Sequence, residues 1–257
     1  MPIKKIVKMI VHLFLPNFRR RKKRRYISRR LGIENFFKLL NAHNISYCVL
    51  RWFEELPHLP EGEDIDLLVA DEDIDRISKL FVPFSVNGNI NCDLYSVSGM
   101  KGTSYKKIAY FPQKLAATLL DSAVVVKDTY RVPDPRSHFW SMAYHALYHK
   151  GYRSGLPEGP SSTPTVTDVE HDYGTVLRDL ADAAGIAVPD VSLSGLDRLL
   201  SAHGYKPPRD VLEKLAPHNK WIEDALLNVE HDLPDFYHGL AAFVVREKGV
   251  PFIASIE

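Results

Sequence analysis

The chain has 257 residues, of which 45% are hydrophobic, 25% charged and 11% aromatic. That composition excludes a disordered, collagen-like or disulfide-scaffold protein, and the length can bury a sizeable core in one large domain or two small ones. Cys48 and Cys92 are too few for a disulfide framework or a cysteine-built zinc site and point to a reducing compartment, and no run of about 18 clean apolar residues predicts a transmembrane helix.

A net charge of +1 conceals an asymmetry. Residues 1–33 carry twelve Lys or Arg and no acid, so the rest, with 21 basic and 32 acidic side chains, has a net charge of −11. A basic arm, residues 1–31, is joined to an acidic body. The acidic body lacks the positive footprint that phosphate neutralisation needs, so nucleic acid is not the expected partner.

Within the arm, Ile3, Ile6, Val7, Ile10, Val11 and Phe14 recur at helical spacing, with Lys4, Lys5, Lys8 and His12 opposite and Pro16 as the stop. The run Arg19–Arg25 follows, then Arg29 and Arg30. An apolar helix face beside a basic cluster suits an anionic membrane surface, where each basic residue adds about 1 kcal/mol. Residues 3–30 are therefore expected either to hold the protein peripherally on the inner, cytoplasmic face of a membrane or to pack on the body. Lys8 and the arginine run argue against a secretory signal, and Glu34 against a twin-arginine one; an Arg-rich transit peptide remains a third alternative.

The body opens with a predicted helix over 32–43, with Ile33, Phe36, Phe37 and Leu40 as its stripe, then a β-type run at 45–50 and a loop at 53–63 containing Pro57, Pro60 and Gly62. Asp64 and Asp66 lead into the apolar run Leu67-Leu68-Val69. Aspartate is a poor strand residue, and the i, i+2 spacing puts both carboxylates on one strand face. Such a pair repels itself unless a cation lies between, and a hard, oxygen-seeking ion such as Mg²⁺ or Mn²⁺ is the natural occupant. A helix over about 71–80 precedes a second β-type run, 91–97, in which Asp93 is the isolated acid. If the two runs pair, Asp93 completes a three-carboxylate site. The plain alternative for Asp64 and Asp66 is a turn acid and an exposed strand acid.

The order helix, Ile45–Arg51, loop, Asp64–Val69, helix, Asn91–Val97 resembles the nucleotidyltransferase fold of the DNA polymerase β superfamily, over about residues 33–150. The superfamily includes small bacterial nucleotidyltransferase-like proteins, some associated with surface-polysaccharide synthesis. The resemblance implies an α/β (α+β) fold: a small mixed sheet with flanking helices, followed by a helical C-terminal region. It implies metal ligation by Asp64, Asp66 and Asp93, and transfer of a nucleoside monophosphate from a nucleoside triphosphate to a hydroxyl acceptor. By analogy with the family and with the basic arm, a membrane-linked glycan or lipid intermediate is the expected acceptor. Where the family has a small Gly-Gly or Gly-Ser pair after the first strand, this chain has Arg51-Trp52, eleven residues before Asp64. Arg51 would bind phosphate and Trp52 stack on a base, or both would close the nucleotide pocket and leave a non-catalytic binding module.

A strand is predicted over 127–132 and a helix over 136–150. His145 and His149 share a helix face, but Ala146 stands where a metalloprotease needs Glu. They are expected either to cap core aromatics or, with Lys150, to contact phosphate or acceptor. These elements complete a core over 32–150. A loop over 151–167 follows, then a mainly helical region, 168–257, with helices expected over 173–184, from a Ser194 cap through Leu200, from Pro207-Pro208 to Leu215, and over 221–229. The final apolar run, 240–246, fits a strand or a buried helix equally.

Overall fold

The computed structural model describes residues 25–60, 62–82 and 89–231. The amphipathic helix expected over 3–15, most of the basic run and the apolar run 240–246 lie outside them. The described chain is mixed α+β. Four strands form one small mixed sheet in the order β1 (Arg25–Ile27), β4 (Ile90–Ser96), β3 (Ile65–Val69), β2 (Tyr47–Val49). The central pair β3 and β4 is parallel; β1 and β2 run antiparallel to their neighbours. No helix among the described residues is long and apolar enough to cross a membrane.

Alternation along the strands sorts side chains into two cores. Ile65, Leu67 and Val69 of β3 and Cys92 and Leu94 of β4 face α1 (Ile33–Ala42), with Phe36, Phe37 and Leu40, and α2 (Ile74–Ser78). Leu68 of β3, Ala70 just beyond its end and Tyr95 of β4 face the other way. They pack with α3 (Gln113–Asp121), α4 (Pro135–Tyr144), α5 (Tyr173–Ala184) and α6 (Leu193–Ala202). The C-terminal helices thus share a core with the sheet face that carries the aspartates. The free thiols of Cys48 and Cys92 are buried, one in each core.

Several local features differ from the sequence expectation. Arg25–Ile27 leave the basic arm and form the edge strand β1, since an edge position tolerates charge and this one pairs Arg25 opposite Cys92. The strand expected over 127–132 is half of a hairpin: β5 (Val124–Val126) pairs with β6 (Tyr130–Val132), and Lys127 and Asp128 turn between them at φ 48° and 53°. Ser192, rather than Ser194, caps α6, its Oγ accepting from Gly195 N at 3.1 Å. The helix expected over 136–150 divides into α4 and a π-helical stretch, His145–Lys150, ending at Gly151. Two further helices follow, α7 (Arg209–Leu215) and α8 (Lys220–His231).

Candidate functional site

The parallel register sets Asp66 of β3 directly opposite Asp93 of β4. Paired residues on neighbouring strands lie about 4.8 Å apart with side chains on the same face. Asp64 precedes β3 by one residue and, two before Asp66, shares that face, exposed to solvent. Asp66 is 5% exposed, and Asp93 is half-buried and accepts from Tyr95 Oη at 3.2 Å. The structure therefore sets the three carboxylates that the sequence pattern singles out on one sheet face, with Asp64 and Asp66 at one cavity and Asp93 at another.

Among the described residues, the direct cationic partner of Asp66 is Arg51. Arg51 Nη2 lies 2.5 Å from Asp66 Oδ2. Arg51 Nη1 donates to Tyr110 Oη at 2.8 Å, and Tyr110 Oη lies 2.8 Å from His145 Nδ1. His145 Nε2 is 3.2 Å from Tyr173 Oη, and His149 Nδ1 is 3.3 Å from His145 Nδ1. Once Arg51 donates to the Tyr110 oxygen, the phenol proton points at His145 Nδ1. His145 then carries its own proton on Nε2, its single Nδ1 lone pair is taken by Tyr110, and His149 turns its Nδ1 proton to the Tyr110 backbone carbonyl. That leaves His149 Nε2 as a buried acceptor without a partner. The relay runs unbroken from Asp66 to Tyr173.

The charges follow from this packing. Burial pushes the Asp66 carboxyl up to about 6; Arg51 opposes the rise, while Asp64 and Asp93 add to it. Burial works against the Arg51 charge, but Asp66 and the surrounding tyrosines more than restore it. His145 and His149 are held well below the ordinary histidine range, by burial first and by Arg51 second. Both histidines touch core aromatics, as the plainer of their two readings expects: His149 packs 4.1 Å from Tyr110 and 4.3 Å from Tyr105, between ring centroids.

A cleft of about 170 Å³ opens over Asp64 and Asp66, lined also by Arg51, Trp52, His145, Lys150 and Tyr173. His149 is buried behind its wall and is not part of the lining. Trp52 sits at φ 53°, a left-handed conformation that suits glycine, and its ring stacks on His171 at 4.1 Å. Three groups at the cleft mouth carry no signal in the sequence. Glu63, Glu170 and His171 bring their ligand atoms within 4.8 Å of one another, close enough to share a metal ion, whereas among the described residues those of Asp64, Asp66 and Asp93 are not gathered so closely. Glu63 and Glu170 are separated by more than a hundred residues with no shared motif, so only the fold joins them.

Buried neutral histidine makes stability pH-dependent. Burial lowers the His138 pKa from 6.5 to about 4. On acidification the unfolded chain takes up this proton below pH 6.5 and the folded chain only near 4, so stability is lost across that window, by up to about 3 kcal/mol. His145 and His149 act in the same direction, whereas Asp66, whose folded pKa is raised, opposes them below pH 6. Urea unfolding between pH 7 and 4.5 is expected to show falling stability, with a shallower slope in His138→Gln; an unchanged slope in that variant would contradict a buried neutral imidazole.

No protein-family model, no curated protein and no solved structure matches this chain.

Proposed function

We propose that the chain is a metal-dependent nucleotidyltransferase that moves a nucleoside monophosphate from a nucleoside triphosphate to a hydroxyl acceptor. The observation that carries this reading is the register of the parallel pair, which sets Asp66 beside Asp93 with Asp64 on the same face. The left-handed backbone at Trp52 adds support, because a chain position that favours glycine falls where the nucleotidyltransferase superfamily has its small pair.

The donor chemistry suits a hard cation, which would draw the three carboxylates closer together than they now lie. The donors are carboxylate oxygens, and the mutual repulsion that helps raise Asp66 is what a bound divalent ion relieves. Asp64, Asp66 and Asp93 would hold Mg²⁺ or Mn²⁺, which would neutralise phosphate charge and polarise the α-phosphoryl group. Asp93 would accept the proton of the acceptor hydroxyl. The acceptor oxygen then bonds to the α-phosphorus as the bond to pyrophosphate breaks. Arg51, with guanidinium donors beyond those used on Asp66 and Tyr110, and Lys150 at the cleft would bind phosphate oxygens. The basic arm would bring this chemistry to an acceptor at the cytoplasmic surface of a membrane.

A second reading rests on Arg51. Its guanidinium already supplies a positive charge at Asp66, and a cleft of about 170 Å³ is smaller than the ~300–1,000 Å³ of common ligand pockets. Both features favour a non-catalytic binding module. Thermal unfolding with ATP, CTP, GTP and UTP, with and without Mg²⁺, separates the two. At a hundredfold excess over Kd, a ligand stabilises by about 2.7 kcal/mol, or ~5–10 °C for a chain of this size. The enzyme reading expects one nucleotide to give such a shift only with Mg²⁺, to lose it in Asp64→Asn and Asp93→Asn, and to release pyrophosphate. A shift without pyrophosphate release would support a module that binds nucleotide, and no shift with any nucleotide would contradict the enzyme reading and leave a module whose nucleotide pocket is closed.

A further inference from the structure

Asp93 lines a second cavity, of about 360 Å³, on the β1 side of the sheet, and the other charged groups around it, Arg25, Lys106 and Lys107, are cations at the edge of a largely apolar lining. Arg25, the first residue of β1, reaches it with Nη1 donating to Gly102 O at 2.8 Å. Lys106 and Lys107 line it from a two-residue turn closed by reciprocal Tyr105–Ile108 backbone hydrogen bonds of 2.9 Å. Ser104 and Tyr95 add hydroxyls.

The turn is built against local preference. Lys106 and Lys107 have φ 49° and 70°, so both central residues are left-handed, a geometry strongly favouring Asn-Gly. Lys127 is also left-handed, but its ammonium ties down a neighbouring loop, donating to Glu54 O at 2.7 Å and Leu56 O at 2.8 Å. Lys106 and Lys107 make no comparable bonds. Apart from Lys106 Nζ lying 5.9 Å from the Tyr105 ring centroid, neither ammonium has a hydrogen-bond or ion-pair partner among the described residues. Conformational cost kept at a cavity rim, with no internal partner for the charge, is the pattern of a ligand site.

We propose that this cavity is the acceptor subsite and that the acceptor carries a phosphate group, held by Arg25, Lys106 and Lys107 while a hydroxyl of the same molecule reaches Asp93. The assignment of the hydroxyl rests on the nucleotidyl-transfer reading; the phosphate site rests on the cations alone. Both a soluble polyol or sugar phosphate and a phospholipid headgroup present this chemistry.

The test uses the full chain and Lys106→Asn/Lys107→Gly, which removes both charges and gives the turn its preferred residues. Calorimetry with glycerol 3-phosphate, with glycerol as the uncharged control, reads a soluble acceptor. Flotation with phosphatidylcholine vesicles, with and without phosphatidic acid, reads a lipid one. The wild type is expected to bind one of the two phosphate probes in preference to its control. The double variant should bind that probe about tenfold more weakly or worse while melting at a higher temperature, which rules out misfolding as the cause. Asp64→Asn should retain the binding. Failure of the wild type to prefer either probe, or equal affinity in the double variant, overturns the subsite. Probe binding that depends on the lysines, without pyrophosphate release from any nucleotide, supports the phosphate site and removes nucleotidyl transfer instead.

Discussion

Replacing Asp66 with alanine is expected to lower the free energy of unfolding by about 3–5 kcal/mol, a large share of a marginal total. The carboxylate is 5% exposed, and its loss leaves the Arg51 guanidinium buried without a counter-charge. The damage extends to Tyr110 and His145, whose proton positions depend on where Arg51 donates. A double variant, Asp66→Ala with Arg51→Met, removes both charges and should recover most of the loss, because two well-packed apolar groups can replace a buried ion pair at little cost. Asp93→Asn keeps its shape and has no such partner to strand, so it should cost less than about 1 kcal/mol. Urea unfolding of these proteins, with Arg51→Met alone to close the cycle, measures the coupling. A loss below about 1 kcal/mol in Asp66→Ala alone would mean that Arg51 escapes to solvent and that the pair is not internal.

The second large effect is expected at Gly151→Ala. Gly151 ends the π-helical stretch at φ 56° and ψ −130°, and a Cβ there would lie 2.0 Å from Asn219 Oδ1. Asn219 cannot simply move away. Its Nδ2 donates to Leu147 O at 2.8 Å, and its Oδ1 accepts from Trp221 N at 3.1 Å and Ile222 N at 3.4 Å. One buried amide thus ties the histidine-bearing turn to the start of α8, and the missing Cβ makes room for it. Backbone strain of about 1–3 kcal/mol combines with a comparable cost for each buried polar group left unpaired, giving a loss of about 4 kcal/mol or more. Gly185→Ala is the control: φ is 62° there, but nothing lies within 4 Å of the added Cβ, so only about 1 kcal/mol should be lost. Equal losses in the two variants would show that the Asn219 contact carries no weight.

The difference between what is legible in the sequence and what is not is one of range. The α1 stripe, the alternation of Asp66 with Ile65 and Leu67, and the lone acid Asp93 are local patterns, and each occupies the element expected of it, while Asp64 falls one residue before its strand. Their meeting on one sheet face follows from the β3–β4 pairing. Hairpin β5–β6 is only half visible because Lys127 and Asp128 turn it without glycine. Strand β1 is hidden by its place at the end of an arginine run. Helix α3 buries Leu115, Ala116, Leu119 and Leu120, yet its nine residues lie between stronger β-type runs and do not stand out. Arg51 is legible as a functional residue, but its partner is not. Only the folded chain turns the guanidinium back onto Asp66 and delivers Glu170 and His171 to the cleft.

Anomalous scattering from crystals of the full chain soaked in Mn²⁺ tests the central claim most directly. A metal site on the aspartates gives a peak among Asp64, Asp66 and Asp93, with Arg51 displaced from or sharing the Asp66 carboxylate. A peak confined to Glu63, Glu170 and His171, or none at the three aspartates, would contradict it.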